Sequence, residues 1–214
     1  MYFNIFLFRY YQMEKLFQQI PAFSDVKILS RQQVQNLWDD YGAIARFKID
    51  DGNRTKSLII KYIAPPDQSD DPVNHQRKID SYEFEQNFYE NYGNELEGHA
   101  KIPKFCGAIT MKTQRLFVLE DLKPDYPKIT AQAKGPYAKL TDKETSMMLD
   151  WLACFHARFL NSDCIDLPKI GTYWHLETRK IEFERMENGP LKLNAHAIYN
   201  KLVNSKFRTF GKVK

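Results

Sequence analysis

Two alternating stretches joined by a turn constrain this chain more than anything else in it. From Ala43 to Asp50, the apolar residues Ala45, Phe47 and Ile49 alternate with Arg46 and Lys48, the period of a half-buried strand. Asp50-Asp51-Gly52-Asn53 supplies turn chemistry, and Thr55 to Ile63 is β-rich and lies directly across that turn. A hairpin follows, with Lys61 near the end of its second strand. Pro103 to Met111 and Arg115 to Glu120, joined through Lys112-Thr113-Gln114, form a second hairpin candidate.

Helical patterns flank these strands. Ser30-Arg31-Gln32-Gln33 has the form of a capping box, and Val34, Leu37 and Trp38 follow at helical spacing, so a short helix ending near Asp40 is expected. After the proline-bearing loop from Ala64 to Pro72, a helix is expected from near Gln76. It carries Ile79, Tyr82, Phe88, Tyr89 and Tyr92 on one face, and Gly93-Asn94 is its stop signal. Beyond the linker Lys123 to Ala138, Thr141-Asp142-Lys143-Glu144 is a capping box. Met147, Trp151, Phe155 and Phe159 then recur every four residues, the spacing of a stripe packed into a core. The expected class is α+β: a small antiparallel sheet with one packed helix, then a helical part. Residues 1–25 form an N-terminal extension, 26–122 the sheet domain and 123–214 the linker and helical portion.

Composition narrows the setting. With 214 residues and 43% hydrophobic content, the chain can bury a substantial core. A net charge of +4 is too dispersed to argue for nucleic acid or an anionic membrane. Cys106, Cys154 and Cys164 show no Cys-x-x-Cys spacing, so neither a disulfide framework nor a zinc site is indicated, and a reducing cytoplasm is the default. The apolar start, Met1 to Phe8, is far short of a membrane span and lacks a basic residue before it. Met13, opening Met13-Glu14-Lys15-Leu16, is expected to be the natural start.

Glu85 stands 24 residues after Lys61, within three or four positions of Tyr82, Phe88 and Tyr89, where a helix would hold its carboxylate inside an apolar face. A charge placed there needs a partner, and a Lys on the neighbouring strand supplies one. The plain alternative is a Lys ending an edge strand in solvent and a surface acid on a helix. Phe117-Val118-Leu119-Glu120-Asp121-Leu122 is a third element, an apolar strand running into two acids. Its backbone around Glu120, Asp121 and Leu122 could offer a carbonyl and an amide to a base edge, with Leu119 and Leu122 against the ring. Its plain alternative is a strand ending in two solvated acids. Asp40-Tyr41-Gly42-Ala43-Ile44 occupies the place of a phosphate-covering loop, though a turn glycine serves equally well, and no Gly-x-Gly-x-x-Gly or Walker A sequence is present. His156 and His175 lack a second ligand at metal spacing and are expected to be structural. Gly-x-Ser-x-Gly and His-Glu-x-x-His are likewise missing.

In order along the chain, Leu37-Trp38-Asp39-Asp40-Tyr41-Gly42, Ile59-Ile60-Lys61, His75-Gln76-Arg77-Lys78, Ser81 to Tyr89, Leu119-Glu120-Asp121-Leu122, Leu149 to Ala157 and Gly171 to Arg179 form a series. It resembles the small-molecule kinases related to aminoglycoside phosphotransferase and choline kinase, most closely the ecdysteroid-kinase-like, choline-kinase-like branch found in bacteria. The resemblance runs from about Val26 to Thr209. It implies a protein-kinase-like fold with an antiparallel-sheet N-lobe and a helical C-lobe, and transfer of the ATP γ-phosphate to a hydroxyl of a small molecule, with Mg2+. By that resemblance Lys61 contacts the α and β phosphates, Glu85 holds Lys61, Glu120 to Leu122 take the adenine, and Gly42, Ala43 and Ile44 lie over the phosphates. It further implies that a stretch like Lys206-Phe207-Arg208-Thr209 leads into a His-Gly-Asp catalytic loop, whose Asp takes the hydroxyl proton and whose Asn, with a later Asp, holds magnesium. The chain instead runs Phe210-Gly211-Lys212-Val213-Lys214. Three expectations follow: a phosphotransferase interrupted before its catalytic loop and inactive as this chain, a catalytically dead nucleotide-binding or interaction module, or an inert gene fragment. An incomplete C-lobe would also leave the Met147 to Phe159 stripe partly uncovered.

Overall fold

The computed structural model describes residues 2–125, 140–173 and 175–186. The chain divides into two compact units, residues 1–168 and 169–214. Unit one is α+β. Helix α1 (Tyr2–Phe17) precedes strands β1 (Lys27–Asn36), β2 (Gly42–Asp50) and β3 (Thr55–Ile63). Helix α2 (Pro72–Asn87), strands β4 (Phe105–Met111) and β5 (Gln114–Glu120) and helix α3 (Asp142–Arg158) follow. The five strands form one antiparallel sheet in the order β1-β2-β3-β5-β4.

The expected first hairpin is present. Its register runs unbroken from Gly42 opposite Ile63 to Asp50 opposite Thr55. The turn is closed by Asp50 and Asp51, whose carboxylates accept from the amides of Gly52, Asn53 and Arg54 at 2.9 to 3.0 Å. Alternation then sorts side chains between two faces. Ala43, Ala45, Phe47 and Ile49 of β2, with Leu58, Ile60 and Tyr62 of β3 and Leu116 and Val118 of β5, form one core. Met13, Leu16, Phe17, Ile20 and Phe23 complete it, so residues within 1–25 cover one face of the sheet. The opposite face packs Ile63, Phe117 and Leu119 against Tyr82 of α2, with Leu37 and Tyr41 from the β1–β2 turn.

The helix expected over Ser30 to Asp40 is instead strand β1 and a short turn at Trp38–Asp40. The reason lies in its position at the sheet edge. Of the three apolar residues that suggested a helical stripe, Leu37 alone is buried, whereas Val34 is 46% and Trp38 84% exposed. Backbone pairing to β2, from Lys27 opposite Asp50 to Asn36 opposite Ala43, wins over a capping box with no core beneath it. That pairing shifts register twice, between Ile28 and Ser30 and between Gln33 and Gln35. On the far edge, β4 has one shift, between Phe105 and Gly107.

Helix α2 begins earlier than its pattern suggested. Asp71 caps it by accepting from the Asn74 amide at 3.0 Å, and Pro72 takes the first turn. After Asn87 the chain widens into a π-type turn, Phe88–Tyr92, and a 3-10 turn, Gly93–Leu96. Gly93 is right-handed there, and the left-handed glycine is Gly98 (φ 80°).

The capping box of α3 forms: the Thr141 hydroxyl accepts from the Glu144 amide at 3.2 Å while the Glu144 carboxylate accepts from the Thr141 amide at 2.7 Å. Its stripe is not the core that its spacing suggested. One side docks, where Trp151 Nε1 donates to Lys101 O at 2.9 Å and Phe88 meets the rings of Phe155 and Phe159 at 5.8 Å each. No residue of α3 is buried, and Met147, Met148, Leu149 and Leu152 are exposed. Spacing set the helix, and among the described residues too little lies over its other side to cover the stripe.

In the second unit, Arg179 organises the described residues before helix α4 (Lys180–Arg185). Its Nε donates to Tyr173 O at 2.9 Å, its Nη1 to Glu182 Oε1 at 2.7 Å, and its guanidinium lies 5.1 Å from the Tyr173 ring centroid. The linker from residue 126 and the basic tail from Lys201 lie outside the described residues. No described helix is long and apolar enough to cross a membrane.

Candidate functional site

Because Ala43, Ala45 and Phe47 point toward α1, alternation turns Ile44 and Arg46 of β2 to the other face, together with Ser57, Ile59 and Lys61 of β3 and Phe117 and Leu119 of β5. Lys61 stands opposite Ile44 on one side and Phe117 on the other. Its strand is therefore interior, and the picture of a lysine ending an edge strand in solvent does not apply.

Lys61 pairs with Glu85 of α2 through Nζ and Oε2. The lysine side chain is 12% exposed, and its ammonium sits 5.0 Å from the Tyr82 ring centroid and 5.7 Å from that of Phe117. Two ring faces and one carboxylate thus hold a largely enclosed cation, an arrangement that compensates a desolvated ammonium while fixing where it points.

The third element is built differently from a strand with two solvated acids. The Glu120 amide donates to Lys104 O at 2.9 Å, and its carboxylate accepts from Lys101 Nζ at 2.6 Å and the Lys104 amide at 3.1 Å. Burial pushes the Glu120 carboxyl up, but the contacts from Lys101 and Lys104 outweigh it and hold it below its ordinary value. Asp121 is buried. Arg46 grips it through Nε at 2.6 Å and Nη2 at 3.2 Å, Ser57 Oγ donates at 2.6 Å and the Lys123 amide at 3.2 Å. Here too burial raises the carboxyl, and the bonds from Arg46, Ser57 and Lys123 more than reverse it. Leu119 is buried in the α2-side cluster, and Leu122 is half-buried and accepts from the Asp125 amide at 3.2 Å.

Gly42, Ala43 and Ile44 open β2 directly after the turn Trp38–Asp40. A side chain at Gly42, whose φ is 145°, would begin 2.0 Å from Tyr62 O, so the close approach there is between neighbouring strands. Ala43 is buried toward α1, and Ile44 is half-buried on the Lys61 face. The turn itself is tied to both helices. Asp40 accepts from Arg9 Nη1 and Nη2 at 2.9 Å each, Asp39 pairs with Lys78, and the Tyr41 hydroxyl meets His75 Nδ1 at 2.6 Å.

Lys61 and Glu85 are brought together as their spacing suggested. Arg46 and Ser57 escaped sequence reasoning, and His75 and Lys78 stood out only as part of a motif with no role attached. Arg46 looks like a solvated surface charge in one dimension, and its only signal was its regular place on a strand. Neither Lys61 nor Glu85 lines the groove of about 360 Å3 that runs along residues 93–105. Among the described residues, no three His, Cys, Asp or Glu side chains cluster closely enough to hold a metal ion. His156 is exposed, and His175 Nδ1 accepts from the Glu177 amide at 3.2 Å. Compared with protein-family models and with curated proteins, the chain matches none.

Proposed function

We propose that this chain binds a nucleoside triphosphate on the sheet face that carries Lys61, as the nucleotide lobe of an ATP-dependent phosphotransferase acting on a hydroxyl of a small molecule. The observation that supports it is the ion pair of Lys61 and Glu85, set on an interior strand and packed against Tyr82 and Phe117. A cation held in this way meets phosphate oxygens without having to be ordered first, which lowers the cost of binding. Ile44 and Ile59, both half-buried, and Leu119 offer an apolar surface beside it for the base. The sequence resemblance to choline-kinase-like enzymes points to the same face.

The described residues do not form a protein cage for Mg2+. The ion belongs to this proposal only as the companion of the nucleotide, and no step is assigned to it. The 214 residues contain no His-Gly-Asp run, so the proposal gives this chain nucleotide binding and leaves proton transfer unassigned. The same site serves a binding module without transfer. A cytoplasmic setting belongs to the proposal as well and accords with three cysteines that form no disulfide.

Thermal unfolding with and without Mg-ATP tests it. A ligand at about 100 times its Kd adds ~2.7 kcal/mol, which for a chain of this size raises Tm by roughly 5–10 °C. The rise is expected for the unaltered chain and is lost in Lys61→Ala. No rise in the unaltered chain overturns the proposal.

A further inference from the structure

His75-Gln76-Arg77-Lys78 occupies the first turns of α2, and its partners lie on the turn between β1 and β2. Lys78 is 16% exposed, its Nζ is 4.5 Å from the Tyr41 ring centroid, and it pairs with Asp39. This repeats the surroundings of Lys61: an ammonium on an aromatic ring with one carboxylate. The two differ in the carboxylate. Glu85 is 34% exposed on a helix, whereas the Asp39 side chain is 66% exposed on a turn.

The backbone of that turn is unusual. Asp39 and Asp40 have φ of 51° and 60°, two successive left-handed residues without a glycine. Their pairs to Lys78 of α2 and Arg9 of α1 offset that conformation. Just after them Tyr41 is fixed: it is buried, its hydroxyl meets His75, and its carbonyl accepts from the Ala64 amide at 2.7 Å, three residues past Lys61.

Lys78 and Glu85 are seven residues apart on α2, two turns or ~10 Å along the axis, and Tyr82 between them touches Lys61. A polyphosphate whose inner groups meet Lys61 therefore finds Lys78 as the next cation along the helix. Resting on the proposed nucleotide site, we infer that Lys78 is a second phosphate-binding cation, covered in the ligand-free protein by Asp39. The Asp39 carboxylate stands where a terminal phosphate oxygen would bind, and a nucleoside triphosphate displaces it. The exposed, strained Asp39 yields, while Glu85 keeps its place on Lys61. The arrangement favours triphosphates over shorter nucleotides, because the terminal phosphate alone reaches Lys78.

Calorimetric titration of the full chain and two variants with Mg-ATP and Mg-ADP tests this. Asp39→Asn is expected to tighten ATP binding about fivefold and to leave ADP within about twofold, since a charge competitor of modest strength is removed. Lys78→Met is expected to weaken ATP at least about tenfold and ADP much less. Circular dichroism melting confirms that both variants fold. The inference is overturned if Asp39→Asn leaves ATP affinity unchanged or lower, or if Lys78→Met weakens both nucleotides equally. Binding of both nucleotides by the unaltered chain with no response to Asp39→Asn removes this inference alone. Binding of neither removes the nucleotide site and this inference with it.

Discussion

Arg46 and Asp121, 75 residues apart, meet in a two-nitrogen grip, with Nε 2.6 Å from one carboxylate oxygen and Nη2 3.2 Å from the other. Their side chains are 16% and 3% exposed. Arg46→Met is therefore expected to cost about 3 kcal/mol, because it leaves a buried carboxylate with Ser57 and one amide alone. Replacing both, as Arg46→Met with Asp121→Leu, should cost less than the sum of the two single changes. Urea unfolding of the four proteins checks this, and strict additivity would show that the pair has no coupling.

The same carboxylate sets an acid limit. Its folded-state value lies below the ordinary one, so the unfolded chain takes up the proton more readily, and the stabilisation is present above the unfolded value of about 4. It fades as pH falls through the folded value. Stability measured by urea between about pH 3 and 6 should drop on acidification, and Asp121→Asn should flatten that drop. An unchanged slope in the variant would assign the acid sensitivity to other carboxylates.

Gly42→Ala is expected to destabilise by about 2–4 kcal/mol, more than an ordinary strand substitution. The backbone holds a left-handed φ of 145°, and the new Cβ would lie 2.0 Å from Tyr62 O, an atom of the adjoining strand that cannot swing aside. A midpoint shift under about 0.5 kcal/mol, the size seen at ordinary surface sites, would contradict the close approach.

Phe17→Ala is expected to cost ~3–5 kcal/mol. The ring is fully buried, stacked on Phe23 at 4.6 Å and edge-on to Phe47 at 5.6 Å. Val34→Ala on the exposed edge strand should stay within about 0.5 kcal/mol. Denaturant midpoints of the two variants separate a structural N-terminal segment from an appended one.

The central strands were legible because a buried face imposes a period of two and the Asp-Asp-Gly-Asn turn fixes the partner. Lys61 and Glu85 were legible for a related reason, since a strand and the next helix have few ways to pack. Arg46 and Asp121 were not, because each looks like a solvated charge until the sheet brings β2 beside the end of β5. Strand β1 was misread because an edge strand with one weakly buried face carries little alternation, and Ser30 to Gln33 matched a cap by chance. Helix α3 shows the reverse limit: its cap and spacing were plain, but amphipathicity does not say how much will cover the apolar side. Met13, Leu16, Phe17 and Ile20 do fall at the spacing of a helix face, but an amphipathic stripe does not say which sheet face it will close.

The register shifts in β1 and β4 have a consequence for how the sheet ends. These are its two outer strands, where an unbroken comb of amides and carbonyls would template another strand. Ile28 to Ser30 and Gln33 to Gln35 interrupt one margin, and Phe105 to Gly107 the other. Bulges of this kind twist an outer strand out of line with any newcomer. Among the described residues the sheet has five strands, and each outer one presents an interrupted edge in place of a straight template.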